Sequence, residues 1–383
     1  MRPTSPVVII AFLALLMLMT AGVIAISDGQ TTTAEVVDPG DEIERSVHGK
    51  TADFGHAAAT TQSALTVEYE HRAFVQTVLE RPPDERESLL EAYLETFEAE
   101  LHSLFEDDQT ALEAYRDHAL ETDRFVKQLI LTGVIADARQ STLDDLENLD
   151  GEFSGVDLEA VSTDLSHRYG QLDGPVRDRL LLATIDPTKP TTVGIATANS
   201  GLALTAADET RFHRETVRYD RLDTTHIDEF DLAQAETIAV DTYPSTTRTI
   251  ATRDLGDGLY RIDRAHHNGT VTAYITASTE AVAIEHQSRW LDSIGLSESG
   301  STTELGIEVT LERSFEDGPL RVTSTDAGSG EGIDASVYLR HDGTWSRLGT
   351  TDADGAVWSA DPGGPIDVRV VTPDGTITLS VQL

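Results

Sequence analysis

Residues 259–277 read LYRIDRAHHNGTVTAYITA. On either side of Asn268-Gly269, residues of strand-forming type alternate, and Asn-Gly is the pair favoured where a two-residue hairpin needs φ > 0 at both central positions. The stretch therefore predicts two antiparallel strands with an exposed tip, and hence an antiparallel sheet in the middle of the chain. Upstream, VGIATANSGLALTA (193–206) alternates around Asn199-Ser200-Gly201, and FHRETVRYD (212–220) continues the strand pattern. Two helical stretches interleave with these runs. PVRDRLLLAT (175–184) follows Gly174, and DEFDLAQAETIAVDTYP (228–244) is closed by Pro244, which cannot continue a helix. A helix packed on a small antiparallel sheet, an α+β domain over residues 171–295, is the fold this implies.

Farther along, the pattern is strand and turn only. LGIEVTLER (305–313), PLRVTSTD (319–326), IDASVYLRHDG (333–343), TWSRLGTTDADG (344–355), AVWSADPGG (356–364), IDVRVVTPDG (366–375) and TITLSVQL (376–383) are short runs broken by Asp-Gly and Pro-Gly pairs. Such spacing predicts a β-sandwich over 304–383.

Toward the N-terminus the period changes to that of helices. In SLLEAYLETFEAELHSLF (88–105), Leu90, Leu94, Phe97, Leu101 and Leu104 recur at alternating spacings of four and three, a heptad seam that closes within one chain or between copies. Arg81-Pro82-Pro83-Asp84 ends the preceding helix and starts this one. Helices over roughly 52–80, 84–106 and 109–149, ended by Gly151 and Gly155, and a shorter one over 157–169 predict an acidic α-helical bundle or hairpin across residues 51–170. Residues 41–170 hold 30 acidic and 10 basic side chains, which a solvated acidic face explains.

Residues 7–26, VVIIAFLALLMLMTAGVIAI, carry no charge. At about 1.5 Å per residue they reach the roughly 30 Å of a bilayer's hydrocarbon core. Arg2 precedes the segment and Asp28 follows it, so the positive-inside tendency places the N-terminus in the cytoplasm and the remainder outside. Residues 1–27 are expected to be a signal anchor, a single-pass transmembrane helix attaching the chain to the membrane through Val7–Ile26. Cleavage near Val23-Ile24-Ala25, which would release a secreted protein, is the alternative. Residues 28–50 are polar and read as a linker.

The chain of 383 residues has a formal net charge of -39, from 67 acidic against 28 basic residues; Lys50, Lys127 and Lys189 are its only lysines. Near molar salt the screening length falls to about 3 Å, so surface carboxylates cease to repel one another, and the composition reads as adaptation to salt. Without a basic stripe, nucleic acid is excluded as a partner. Cysteine is absent, which removes disulfides, thiolate metal sites and cysteine nucleophiles.

No catalytic residue, cofactor site or metal centre is assigned. Gly328-Ser329-Gly330 lacks the strand-to-helix setting of a nucleophile elbow, and Gly256-Asp257-Gly258 leads into a strand where phosphate needs a helix N-terminus. His213, His226, His266, His267 and His286 show no metal-ligand spacing; adjacent His266 and His267 on a strand point to opposite faces. Asp352 and Asp354 before Gly355, with Asp361 farther on, form part of a calcium-loop pattern that an Asp-Gly turn also explains. Asn268-Gly269-Thr270 is an N-glycosylation acceptor triplet if it lies outside the cell.

Gly332-Ile333-Asp334-Ala335, Gly349-Thr350-Thr351-Asp352-Ala353-Asp354-Gly355 and Pro365–Val370 resemble carboxypeptidase-regulatory-like and related immunoglobulin-like surface modules. The resemblance implies an accessory, non-catalytic β-sandwich over about 80 residues. The rest of the chain is similar to uncharacterised haloarchaeal signal-anchored extracytoplasmic proteins, with strings such as Gly201-Leu202-Ala203-Leu204 and Gly258-Leu259-Tyr260-Arg261. Gly258–Ala283 also resembles the PepSY type of extracytoplasmic domain. These resemblances imply a location and domains of unknown function. The combined expectation is a membrane-anchored extracytoplasmic binding or scaffold protein of a halophilic archaeon, engaging an envelope protein, a surface polymer or another copy of itself. An envelope hydrolase with a site in the α+β domain, or a secreted protein with an adhesive C-terminal module, are the alternatives.

Overall fold

A computed structural model describes residues 36–149, 153, 157–223, 230–315, 317–341 and 343–382. The Val7–Ile26 segment, His226, and the expected helix stops Gly151 and Gly155 lie outside these residues. Among the described residues no helix is long and apolar enough to cross a membrane.

The helical layer contains α1 (Phe54–Leu79), α2 (Pro83–Arg116), α3 (Thr122–Glu147), α4 (Leu158–Tyr169) and α5 (Pro175–Ile185). Asp53 starts α1 by accepting the His56 amide, and Pro83 sits in the first turn of α2. The expected break between 106 and 109 does not occur. Helix α2 runs on to Arg116 because Asp108 is buried and paired, and the chain reverses only past His118, at φ 56°. Along the heptad seam, Leu90, Phe97, Leu101 and Leu104 are buried and Leu94 half-buried. The last three of the four pack on Ala136, Leu143 and Leu146 of α3 and on Leu165 and Tyr169 of α4. The seam thus closes inside one chain. Tyr93 and Tyr169 contact Phe97 edge-on, at 5.0 and 6.1 Å between ring centroids, and the Tyr169 hydroxyl donates to the Phe97 carbonyl at 2.8 Å.

The middle of the chain builds one eight-stranded antiparallel sheet, larger than the small sheet expected. Its strands are β1 (Glu44–Lys50), β2 (Thr191–Ala198), β3 (Gly201–Ala207), β4 (Arg211–Arg218), β5 (Arg248–Asp254), β6 (Leu259–His266), β7 (Gly269–Thr276) and β8 (Ala281–Trp290), in the order β1-β2-β3-β4-β8-β7-β6-β5. The linker expected over 28–50 is corrected at its C-terminal end. Residues 44–50 pair antiparallel with β2, Glu44 opposite Thr197 and Lys50 opposite Thr191. An edge strand needs backbone partners on one side only, so its low apolar content did not betray it. Val37 is likewise buried, in the core around α6 (Leu232–Thr242).

Helices cover the two sheet faces in different halves. On one face, Phe125, Leu129 and Ile130 of α3 with Val176 and Leu180 of α5 pack on Val193, Ile195, Leu202 and Leu204. On the other, Ala235 and Ala239 of α6 pack against Tyr260, Ile262, Val271 and Ala273. A capping box, Asp231 with Gln234, starts α6.

The C-terminal sandwich has eight strands where seven runs were read, and it begins before residue 304. One sheet is β14-β11-β10-β9 and the other β13-β12-β15-β16, from β9 (Ser297–Glu304), β10 (Ile307–Arg313), β11 (Pro319–Asp326), β12 (Ser336–His341), β13 (Thr344–Thr350), β14 (Ala356–Ala360), β15 (Ile366–Thr372) and β16 (Gly375–Val381). Strand β9 escaped notice because SESGSTTE lacks large apolar residues and lies at a sheet edge. Val309, Leu311, Val322, Val337, Leu339, Val368 and Val370 fill the space between the sheets.

The edge of the sandwich carrying β13 and β14 docks on β1, β2 and β3. Gly194 permits this approach, since a Cβ there would lie 3.0 Å from the Ala360 Cβ and 2.4 Å from Thr205 Oγ1. The Thr192 and Ser359 hydroxyls meet at 2.7 Å in the buried joint, and Arg45 Nε lies 2.6 Å from Asp317 Oδ1. Residues Ala34–Leu383 consequently form one compact unit.

Candidate functional site

The residues singled out as possible ligands do not converge. Asp352 Oδ1 accepts the amides of Asp354 and Ala356, at 3.0 and 2.9 Å, in the turn before β14. Gly355 takes φ +74° there, and a Cβ would come within 2.2 Å of the Ser324 carbonyl. Asp361 lies past the other end of β14, 3.1 Å from Arg313 Nε, and accepts the Gly363 amide at 2.9 Å. The strand between them separates the carboxylates, and among the described residues no group of three His, Asp or Glu side chains could hold a metal ion. Asp361 instead lines a cleft of about 430 Å³ beside the joint, with Arg45, Arg313, Phe315, Asp317 and His341. Each arginine in that cleft is matched by an aspartate.

The hairpin at Asn268 also differs from its expected form. His266 pairs with Gly269, so His267 and Asn268 are the central residues, and neither has φ > 0. Asn268 is 8% exposed, because its carbonyl accepts the Trp290 amide at 2.7 Å and holds the turn against β8. His266 is buried on the α6 side, its Nδ1 3.1 Å from Ser245 Oγ; burial, then the charge of Arg289, pushes its pKa down to about 4.

Neighbouring residues of β4 enter buried ion pairs on opposite sides of the sheet. Toward the helices, Arg177 Nη2 lies 2.7 Å from Asp108 Oδ2, and its Nε 3.3 Å from Glu215 Oε2. Glu215 also accepts the Val176 and Arg177 amides at 2.5 and 2.9 Å, capping α5. Burial raises the pKa of both carboxyls against the pull of Arg177. On the α6 side, Arg214 Nη1 is 3.1 Å from Glu285 Oε1, while the Tyr243 hydroxyl and Val37 amide donate to Oε2 at 2.7 and 2.8 Å. These side chains are sealed from solvent and link the sheet to the layers packed on it.

Side chains reach solvent on the outward face of the β13-β12-β15-β16 sheet. The alternation that buries Val337, Leu339, Val368 and Val370 turns Tyr338, Arg340, Asp367 and Arg369 outward. Trp345 lies opposite Arg340, and Arg347 opposite Tyr338. The Arg369 and Arg340 guanidinium carbons stand 3.9 and 5.1 Å from the centre of the Trp345 ring. Arg340 also binds Asp367 at 2.5 Å. Arg347 donates to Thr350 Oγ1 at 3.2 Å, and neither it nor Arg369 makes an ion pair with a described residue. The stacking on indole orients the guanidiniums without neutralising them. The sequence reading missed this face, although the alternation in SVYLRH, TWSR and IDVRV contains it.

Three family models match. Residues 1–187 match a domain of unknown function (DUF7096), residues 193–295 a family of unknown function (DUF7094), and residues 298–379 an archaeal fibronectin-III type-like domain. No curated protein and no solved structure matches the chain. The match over 298–379 supports the immunoglobulin-like sandwich expected at the C-terminus and gives it as fibronectin-III-like, in place of the narrower carboxypeptidase-regulatory-like reading. The helical region and the large sheet are similar to domains of unknown function, as expected.

Proposed function

We infer that the chain is a membrane-anchored extracytoplasmic binding or scaffold protein of a halophilic archaeon. The uncharged Val7–Ile26 segment and the net charge of -39 support the location and the salt-rich setting. Domains of unknown function joined to a fibronectin-III-like module are compatible with a non-catalytic role. The observation that carries the reading is the docking of the sandwich. Its β13–β14 edge is fastened to the large sheet, while the aromatic and arginine-bearing face of β12, β13 and β15 is left open to a partner. Crosslinking and co-purification from native membranes tests this: a reproducible envelope partner is expected, and its absence overturns the scaffold role. An intact-mass measurement of the membrane fraction separates anchor from cleaved signal, since the anchored chain retains the mass of residues 1–26. Asn268, being buried, is expected to carry no glycan in the same measurement.

One observation favours a second reading, an envelope hydrolase. Ser288 Oγ lies 2.9 Å from His213 Nδ1, and His213 Nε2 lies 3.3 Å from Asp208 Oδ2, across neighbouring β8 and β4. Burial opposes ionisation of Asp208, but hydrogen bonds from His213 and the Thr210 and Arg211 amides outweigh it and hold the carboxyl well below its usual range. Such a chain passes the serine proton to His213 as Oγ adds to an ester carbonyl; the adduct then breaks its C–O bond to the alcohol, which takes that proton back, and water removes the acyl group from Oγ. Covalent labelling by a fluorophosphonate, lost in Ser288→Ala, is the expected result for this reading; an unlabelled protein removes it.

A further inference from the structure

The fibronectin-III-like region is itself acidic: residues 297–383 contain five arginines against fifteen Asp and Glu. Three of those five, Arg340, Arg347 and Arg369, share the outward face of a single sheet, where Asp367 is the one carboxylate on the paired positions around them. Asp367 is already occupied, bound by Arg340 and accepting the Ser380 hydroxyl. Two guanidiniums, those of Arg347 and Arg369, are thus left for an outside acceptor. Beside them Trp345 and Tyr338 are each partly exposed.

We propose that this face binds an acidic polysaccharide, a polymer of hexuronic acid units whose carboxylates seat on Arg347 and Arg369 and whose rings lie against Trp345 and Tyr338. The inference rests on the binding reading above and names its ligand class. Three features select the class. The molecule as a whole repels anions at a distance, so its partner must be held at contact, by forked guanidinium–carboxylate hydrogen bonds. Arg347 of β13 and Arg369 of β15 flank Tyr338 of β12 in one row across the sheet, two strand spacings of about 4.8 Å apart, which suits an extended chain with repeated charges. Finally, aromatic faces call for an apolar surface next to the carboxylate. A sugar ring has one on its C–H side, whereas the side chains of an acidic peptide offer little.

The test uses the detergent-solubilised full chain at fixed salt, with binding followed by tryptophan fluorescence. Polygalacturonate is expected to bind saturably, and its methyl-esterified form, with the same rings and no charge, at least tenfold more weakly. Polyglutamate and single-stranded DNA are expected to be weaker by a similar factor. Arg347→Ala, which loses a hydrogen bond to Thr350, should weaken binding severalfold, and Arg347→Ala/Arg369→Ala at least tenfold. Arg321→Ala, on the opposite sheet over Trp358, should stay within twofold. The proposal is overturned if the esterified polymer binds equally well or if the arginine variants bind as the parent does. Equal binding of polyglutamate overturns it in favour of an acidic protein, and equal binding of DNA in favour of a general polyanion. These outcomes are independent of the co-purification result: polyuronate binding without any envelope partner sinks the scaffold reading alone.

Discussion

Arg177 sits between two buried carboxylates, and its removal leaves both Asp108 and Glu215 without a counter-charge. Breaking a buried pair by deleting one partner destabilises by about 3–5 kcal/mol. Arg177→Met is therefore expected to lower unfolding stability by an amount in that range in urea titration; a loss under about 1 kcal/mol contradicts the assigned role. His266 gives a pH signature. Its folded pKa of about 4 lies below the 6.5 of a free histidine, so the folded state prefers the neutral ring. Stability from this group is complete above pH 6.5 and is lost as pH falls from 6.5 toward 4. His266→Gln should lose less stability than the parent over that interval, measured as the difference between the two melting curves. An identical pH slope would remove His266 as a contributor. None of these pairings was legible in the sequence, because each joins residues from distant elements: nothing in EDDQ marks Asp108 as the partner of Arg177.

At the level of elements, the heptad seam was legible and its partner was not. Spacing located Leu90–Leu104, but a seam faces the same way whether it meets its own chain or a copy. The answer came from α3 and α4, whose Ala136, Leu143, Leu146 and Leu165 occupy it. Phe97→Ala should accordingly destabilise the fold by about 3–5 kcal/mol. It should leave the sedimentation coefficient unchanged; dissociation of an oligomer would contradict closure within the chain. Strands were read well where apolar residues alternate, as in β6, β7 and β12, and were missed where backbone pairing alone suffices, as in β1 and β9. Gly194→Val tests the docking of the sandwich. The added bulk meets Ala360 and Thr205, so a loss of about 1–3 kcal/mol is expected. Faster proteolysis at the joint should accompany it, and parental protease resistance would show that β14 does not need the close approach.

For the whole molecule, the charge of -39 was the plainest statement in the sequence, and its consequence is thermodynamic. Screening of self-repulsion predicts a melting temperature that climbs as potassium chloride is raised toward molar concentrations. A salt-independent melting temperature would count against adaptation to a salt-rich setting. Overall class was legible too: helices, then mixed α and β, then a sandwich. The union of these regions into one unit was not, since the residues that weld sandwich to sheet, among them Gly194, Thr192, Ser359 and Arg45, are small or polar and carry no pattern. The face built on Trp345, proposed above as the partner surface, stays exposed after that welding. A photoreactive residue at Thr378, exposed on that face, can be activated in native membranes beside a control at Thr310 on the opposite sheet. Adducts with an envelope component from position 378 and none from 310 are the predicted result; equal yields from both, or none from 378, would contradict the account.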